Sequence, residues 1–208
     1  MNINTLHVIE YSIQMDMTDI ASLDECLKVA IDKVGKIDIL VNNAGVLGSG
    51  ISRCTEQEYD TILDTNLKGV FFLFQKVGHY MRDNHIEGNI LNIISSSSLR
   101  PVNSAYTLSK WGIRGLTMGL ACTLAPYGIV VNGIAPGPTA TPMIMSDPHA
   151  DNYYLPRCLA GRYAMPCEIA NMAVVLVSNM ERMIIGDIVY MTGGAGLINN
   201  KDVDYSFD

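Results

Sequence analysis

Apolar and polar positions along the 208 residues switch between two spacings. The run "HVIEYSIQM" (7–15) reads as a strand. Ser22 to Val34 carries the spacing of an amphipathic helix, with Ser22 and Glu25 placed as a capping box. "IDILVNN" (37–43) is a continuous apolar run of the kind found in a parallel strand buried on both faces. Helical spacing then runs from Glu56 to Asn84, opened by a second capping pair at Thr55 and Glu58 and broken near Gly69. "NILNII" (89–94), "GIVVNGIA" (128–135) and "DIVYMT" (187–192) read as further strands, and Ser104–Ala125 and Pro166–Asn179 as further helices. Strand alternating with helix predicts an α/β fold with a doubly wound parallel sheet and right-handed crossovers. There is no repeat and no domain boundary. The chain is therefore expected to be one domain over 1–208, with its core at about 7–196 and a solvated tail at 197–208. The proline-rich stretch from Pro136 to Pro166 has little periodicity, and a loop of that length in a compact domain is expected to act as a lid.

Composition narrows the classes of function. The apolar share is 49% and the charged share 17%, which fits a well-buried globule and argues against disorder. The net charge is −7 with no run of like charges, so neither a nucleic-acid groove nor an acidic-lipid surface is expected, and a small substrate is. The five cysteines include no C-x-x-C pair. They are expected to be reduced, mostly packed thiols in a reducing compartment. The four histidines show no ligand-like spacing, so no metal site is expected. "MNINTLHVIEYS" lacks the pattern of a signal peptide, and runs such as "GVFFLF" are too short to span a bilayer, so the expected location is cytoplasmic.

Ligands of an open parallel sheet sit beyond the carboxyl ends of its strands. The predicted strands are followed by "MDMTD", "NNAG", "SSSS" and "APGPTAT", which gathers glycines and polar groups at one rim. "SAYTLSKWG" opens the helix after "SSSS" and brings Tyr106 and Lys110 to the same rim. Their spacing of four stacks them on one helix face.

On these motifs the chain resembles the short-chain dehydrogenase/reductase family in its classical form. "NNAG" (42–45), Asn66 in "TNLKG", a serine near 95 followed by "YTLSK", and "PGPTAT" (136–141) match in order; "MDMTD" and "GRYAMPCEIA" match more loosely. The resemblance covers about residues 7–196 and implies a Rossmann-like sheet, an NAD or NADP cofactor, and hydride transfer between a secondary alcohol and a ketone. It implies a catalytic set of Asn66, Ser95, Tyr106 and Lys110. Ser95 would donate a hydrogen bond to the substrate oxygen, with Ser96 the second choice and Ser97 and Ser98 read as turn residues. Asn66 would help to hold a water in a proton relay, and Lys110 would hold the nicotinamide ribose. Asn43, Ala44 and Gly45 would pass the adenosine ribose, and Asp16 and Met17 would meet the adenine. Pro136 and Gly137 would shape a turn, and Thr139 and Thr141 would hold the nicotinamide carboxamide.

The Tyr106–Lys110 pair also has a physical reading. An unperturbed phenol titrates near pH 10 and is a poor base at neutrality. An ammonium about 4–5 Å away, at an effective dielectric near 20, would favour the phenolate by roughly 3–4 kcal/mol. Lys110 is therefore expected to lower the pKa of Tyr106. The residues of the lid, including Tyr153, Tyr154, Met143, Met145 and Leu155, suit an amphipathic substrate.

Two features complicate this picture. The family's T-G-x-x-x-G-x-G turn, which seats the cofactor pyrophosphate on a helix N-terminus, has no counterpart in the 208 residues. "AGVLGSG" (44–50) imitates it, but the next helix is expected only at about Thr55, so these glycines read as a loop. The fold expected is thus an N-terminally truncated Rossmann-like sheet lacking its first βαβα unit. "DILVN" would then face a gap unless "HVIEYSI" moves inward to pair with it. The main expectation is an NAD(P)-dependent alcohol dehydrogenase or ketone reductase, a homodimer or homotetramer like its relatives. The alternative is a catalytically weak or inactive binding or structural subunit on the same fold. A racemase or dehydratase ranks third, because the relay set is complete.

Overall fold

The computed structural model describes residues 9–145, 153–156, 158–178, 180 and 182–195. Four parallel strands, β1 (Ile39–Asn42), β2 (Asn89–Ile93), β3 (Val130–Pro136) and β4 (Ile188–Met191), form one sheet in the order β1-β2-β3-β4. Among the described residues five α-helices flank it: α1 (Leu23–Val34), α2 (Glu56–Leu63), α3 (Gly69–Asp83), α4 (Ala105–Leu124) and α5 (Pro166–Val177). Helices α1, α3 and α4 cover one face through Leu23, Phe74, Val77, Met81, Ile113 and Ala121, packed on Ile90, Val131 and Ile188. The other face packs Leu91 and Ile134 against Leu176 of α5. The apolar runs of β2 and β3 are buried because each has a strand on both sides and a helix over each face.

β1 differs. Ile39 and Val41 are 44% and 46% exposed; they lie on the sheet face that α5 covers over β2 and β3, and among the described residues β1 pairs only with β2. The strand expected at 7–15 does not form: among the described residues, 9–15 lie outside any ladder, with Ile9 and Tyr11 exposed. Alternating side chains favour a strand only when a neighbour supplies the hydrogen bonds, and β1 does not pair with this segment. A buried polar line ties β1 to the far helix instead. The Asn42 amide donates to Asn92 Oδ1 (3.0 Å), and the Asn92 amide donates to Thr117 Oγ1 (2.8 Å).

The caps depart from expectation in instructive ways. Ser22 caps nothing with its side chain; Asp19 accepts from the Ser22 N–H and opens a 3-10 turn (Ile20–Ser22) that leads into α1. Thr55 does accept from the Glu58 N–H (3.2 Å), but the Glu58 carboxylate turns away to accept from the Ser49 N–H (2.7 Å) and pins the 43–55 loop to α2. In "GRYAMPCEIA", Glu168 accepts from the Met165 N–H at the start of α5 and is clamped by both guanidinium nitrogens of Arg162 (2.7 and 2.8 Å). That clamp holds its carboxyl down at about pKa 2.

The break expected near Gly69 is a π-helical turn at Asp64–Lys68 between α2 and α3. Gly69 itself answers to packing, because a Cβ there would overlap the Met17 carbonyl oxygen. The thiols are less packed than expected. All five are free, but only Cys158 is buried, while Cys122 and Cys167 are exposed. No described helix is long and apolar enough to cross a membrane. The predicted tail and residues 146–152 of the predicted lid lie outside the described residues.

Candidate active site

Strands β2 and β3 end on a cleft of about 490 Å³. Ser104 caps α4 by accepting from the Thr107 N–H (3.1 Å), which starts the helix so that Tyr106 and Lys110 both face this cleft. Ser95 enters from the end of β2, Asn43, Ala44 and Gly45 from the loop after β1, and Pro136, Gly137, Thr139 and Thr141 from the exit of β3. All of these sequence-predicted residues line one cavity.

Lys110 is 6% exposed, and its Nζ donates to the Ile93 carbonyl (3.0 Å). Burial lowers its pKa from 10.5 to about 8. The ammonium lies 5.6 Å from the centroid of the Tyr106 ring. The expected tuning of Tyr106 is not what the structure gives: burial pushes its phenol above the ordinary value, and the opposing pull comes from a hydrogen bond with Ser95. The reason is geometric. The phenol is desolvated by the cleft wall, and Lys110, 5.6 Å from the ring centroid, donates to the Ile93 carbonyl.

Ser95 is the serine that faces the cleft, while Ser96 and Ser98 are buried away from it. Ser98 Oγ donates to the Ser95 carbonyl (2.8 Å) and secures a 3-10 turn at Ser96–Leu99.

Asn66, in the π-turn and 1% exposed, does not line the cleft. Its side chain is fully engaged: Oδ1 accepts from the Val46 N–H (2.8 Å), and Nδ2 donates to the Val46 carbonyl (2.9 Å) and to Ser109 Oγ (3.2 Å). It therefore holds the loop after "NNAG" against α4. Asp16 and Met17 do not line the cleft either. Asp16 is exposed and closes its own turn by accepting from the Thr18 N–H and hydroxyl (both 2.8 Å), bonds that lower its pKa. Met17 packs on the core beside α3.

Gly137 has a structural duty that the sequence did not reveal, since a Cβ there would come within 2.8 Å of the Thr192 backbone. The Thr139 and Thr141 hydroxyls are engaged locally, donating to the Gly137 and Thr139 carbonyls. Of the lid residues picked from sequence, Met143 lines the cleft; Met145, Tyr153, Tyr154 and Leu155 do not. Sequence reasoning missed Pro142, Ile144, Pro166 and Ile169, which make the outer wall apolar. Ile144 was findable from its place beside Met143, whereas Ile169 reaches the cleft only through the packing of α5. Among the described residues, no group of three or more His, Cys, Asp or Glu is arranged to hold a metal ion.

Comparison with known proteins agrees with this geometry. A family model described as "Enoyl-(Acyl carrier protein) reductase" matches residues 4–196. A (2S)-[(R)-hydroxy(phenyl)methyl]succinyl-CoA dehydrogenase subunit, BbsD, of Thauera aromatica is 37% identical over 186 residues, covering 88% of this chain and 74% of that protein. The 3-oxoacyl-[acyl-carrier-protein] reductase FabG of Thermotoga maritima is 34% identical, covering 86% and 74%. Among solved structures, a short-chain dehydrogenase/reductase from Serratia marcescens superposes with a TM-score of 0.79 at 33% identity, covering 89% of this chain and 76% of that one. A 3-ketoacyl-(acyl-carrier-protein) reductase from Brucella melitensis complexed with NADH gives 0.78 at 29%, covering 88% and 76%. With three of the four sequence motifs drawn onto one rim of a parallel sheet and a family model spanning most of its length, the chain belongs to the short-chain dehydrogenase/reductase family.

Proposed function

We propose that this chain is an NAD(P)-dependent oxidoreductase that interconverts a secondary alcohol and a ketone. The observation that carries the reading is the meeting of Ser95, Tyr106 and Lys110 with the 43–45 and 136–141 loops around one cleft. A Cβ at Gly45 would meet Asn66 Oδ1 at 3.4 Å and Lys110 Nζ at 3.7 Å, ordinary contact distances that would narrow the cleft beside Lys110. Asn43, Ala44, Gly45, Lys110 and the 136–141 loop would hold the cofactor, which when bound supplies a two-electron hydride carrier.

The chain's own residues handle the proton. In the reducing direction Tyr106 gives its phenolic proton to the carbonyl oxygen, and Ser95 donates a hydrogen bond to that oxygen as negative charge builds there. Lys110, whose Nζ lies 5.6 Å from the Tyr106 ring centroid and donates to the Ile93 carbonyl, is placed to hold the cofactor beside Tyr106. Asn66 serves as the strut that keeps the Val46 loop in place. The apolar outer wall of Pro142, Met143, Ile144 and Ile169 suits a substrate with a hydrocarbon portion. The test is Tyr106→Phe. Turnover should fall at least a hundredfold, within the roughly 10²–10⁴-fold reach of a general acid, while cofactor affinity stays within a few-fold. Retention of more than a tenth of the wild-type rate would defeat the assignment.

A weak or inactive binding subunit is the second reading, and one observation favours it. The 44–50 glycines lie in a loop, and α2 begins only at Glu56, so they do not form a strand-to-helix phosphate turn. We also infer a homo-oligomer assembled through α3 and α4. A groove of about 830 Å³ lined by α2, α3 and α4 exposes Tyr59, Phe71 and Trp111. Light scattering at micromolar concentration should give a dimer or tetramer mass, and a monomer would exclude this interface.

A further inference from the structure

We propose that Ser97 is a positioning residue of this site: its hydroxyl holds the Ser95 hydroxyl as a donor toward Tyr106 and the substrate oxygen. The inference rests on the roles given above to Ser95 and Tyr106. A serine hydroxyl has two acceptor positions and one proton to give. Both acceptor positions of Ser95 Oγ are taken by Ser97, by its N–H at 3.2 Å and by its hydroxyl at 3.0 Å. What remains is the Ser95 proton, free to point into the cleft that Ser95 shares with Tyr106.

The turn itself does not depend on the Ser97 hydroxyl. It is closed by the Ser98 N–H to the Ser95 carbonyl (3.0 Å), the Arg100 N–H to the Ser97 carbonyl (3.0 Å) and the Ser98 hydroxyl to the Ser95 carbonyl. The Ser97 N–H caps the turn whatever side chain is present. The hydroxyl is thus an addition whose partner is Ser95. Without it, Ser95 has a free lone pair and can accept from the Tyr106 O–H. That reversal removes a donor to the phenolate and to the substrate oxygen together. The direction matches the balance at Tyr106, where the Ser95 bond opposes the rise caused by burial.

The test compares Ser97→Ala with Ser97→Thr, which restores a hydroxyl. Tyr106 is followed in the unliganded protein by NMR of ¹³Cζ-labelled tyrosine, its resonance assigned by its loss in Tyr106→Phe. Lys110 over the ring is the charged group beside Tyr106, and it is the same in every variant. The expected result is that Ser97→Ala titrates Tyr106 at higher pH than wild type and Ser97→Thr returns it. Turnover of Ser97→Ala should fall on the order of tenfold, less than the 10²–10³-fold seen when an oxyanion donor is deleted outright, with KM for the cofactor unchanged. An unchanged Tyr106 titration in Ser97→Ala would overturn the proposal, as would a shift that Ser97→Thr fails to reverse. The titration needs no turnover, so it decides on Ser97 even if Tyr106→Phe shows the catalytic reading to be wrong.

Discussion

Two regions of the molecule are built differently. At the Tyr106 end, each polar group is buried or half-buried and held by another: Lys110 by the Ile93 carbonyl, Asn66 by Val46 and Ser109, Ser95 by Ser97. Around Asp16, outside the cleft, the carboxylate is exposed and bonded to its own turn, and strand β1 leaves Ile39 and Val41 exposed. The contrast separates two tasks. The proton transfer proposed for Tyr106 needs fixed groups, and the groups around Tyr106 are held by hydrogen bonds. Gripping a dinucleotide along its length needs backbone donors at a helix N-terminus for the pyrophosphate, and the 208 residues carry no glycine turn of that kind.

The comparison can be broken most decisively at the weakly built end. Hydrogen bonds to a charged group contribute about 1.5–3 kcal/mol each, so lacking two pyrophosphate donors should weaken NADH or NADPH binding by roughly 10²–10⁴-fold. Calorimetric titration of the 208-residue chain should therefore give a dissociation constant well above the micromolar range. Micromolar binding would mean that the Gly45–Gly50 loop grips the phosphates after all.

A smaller effect sharpens the other end. Lowering the Lys110 pKa from 10.5 to about 8 means that its charge costs the fold about 3 kcal/mol at neutral pH. The folded state holds fewer protons than the unfolded one between these values. Stability from this group is thus gained as pH rises from about 8 to 10.5 and lost as pH falls through 8. Lys110→Met gives up the bond to Ile93 but removes the buried charge. It should raise the melting temperature by a few degrees at pH 7 and have little advantage near pH 10.5, while abolishing turnover. Thermal melts at the two pH values read the sign.

The smallest expected effect lies on the sheet. Val41→Ala at the open edge should change stability by less than about 1 kcal/mol, whereas Leu91→Ala, in the buried strand beside it, should cost about 2–5 kcal/mol. Equal losses in denaturant unfolding would show that the β1 edge is covered in solution.

Much of this was legible from the sequence because it is local. Strands β1 to β4 and helices α1 to α5 follow from apolar spacing, and the Ser104 cap with Tyr106 and Lys110 follows from helix geometry. The gathering of loops at one rim followed from the polarity of a parallel sheet. What failed was non-local. The 9–15 segment has a strand's alternation but no partner. Glu58 was read as a cap, yet its carboxylate meets a loop nine residues earlier. The Tyr106 phenol is pushed up by burial in a cleft walled by other elements, which helix spacing to Lys110 does not report. The duty of Gly137 lies in the approach of Thr192, 55 residues away along the chain (192 minus 137).

The central claim is that this cleft moves a hydride while Tyr106 moves the proton. The most direct measurement supplies the chain with nicotinamide cofactor deuterated at C4 and a panel of apolar ketones, and reads the alcohols by mass spectrometry. The account predicts that wild type yields alcohol carrying one deuterium on carbon and that Tyr106→Phe yields at most a hundredth as much. Unlabelled alcohol from wild type, or labelled alcohol formed equally well by Tyr106→Phe, would contradict it.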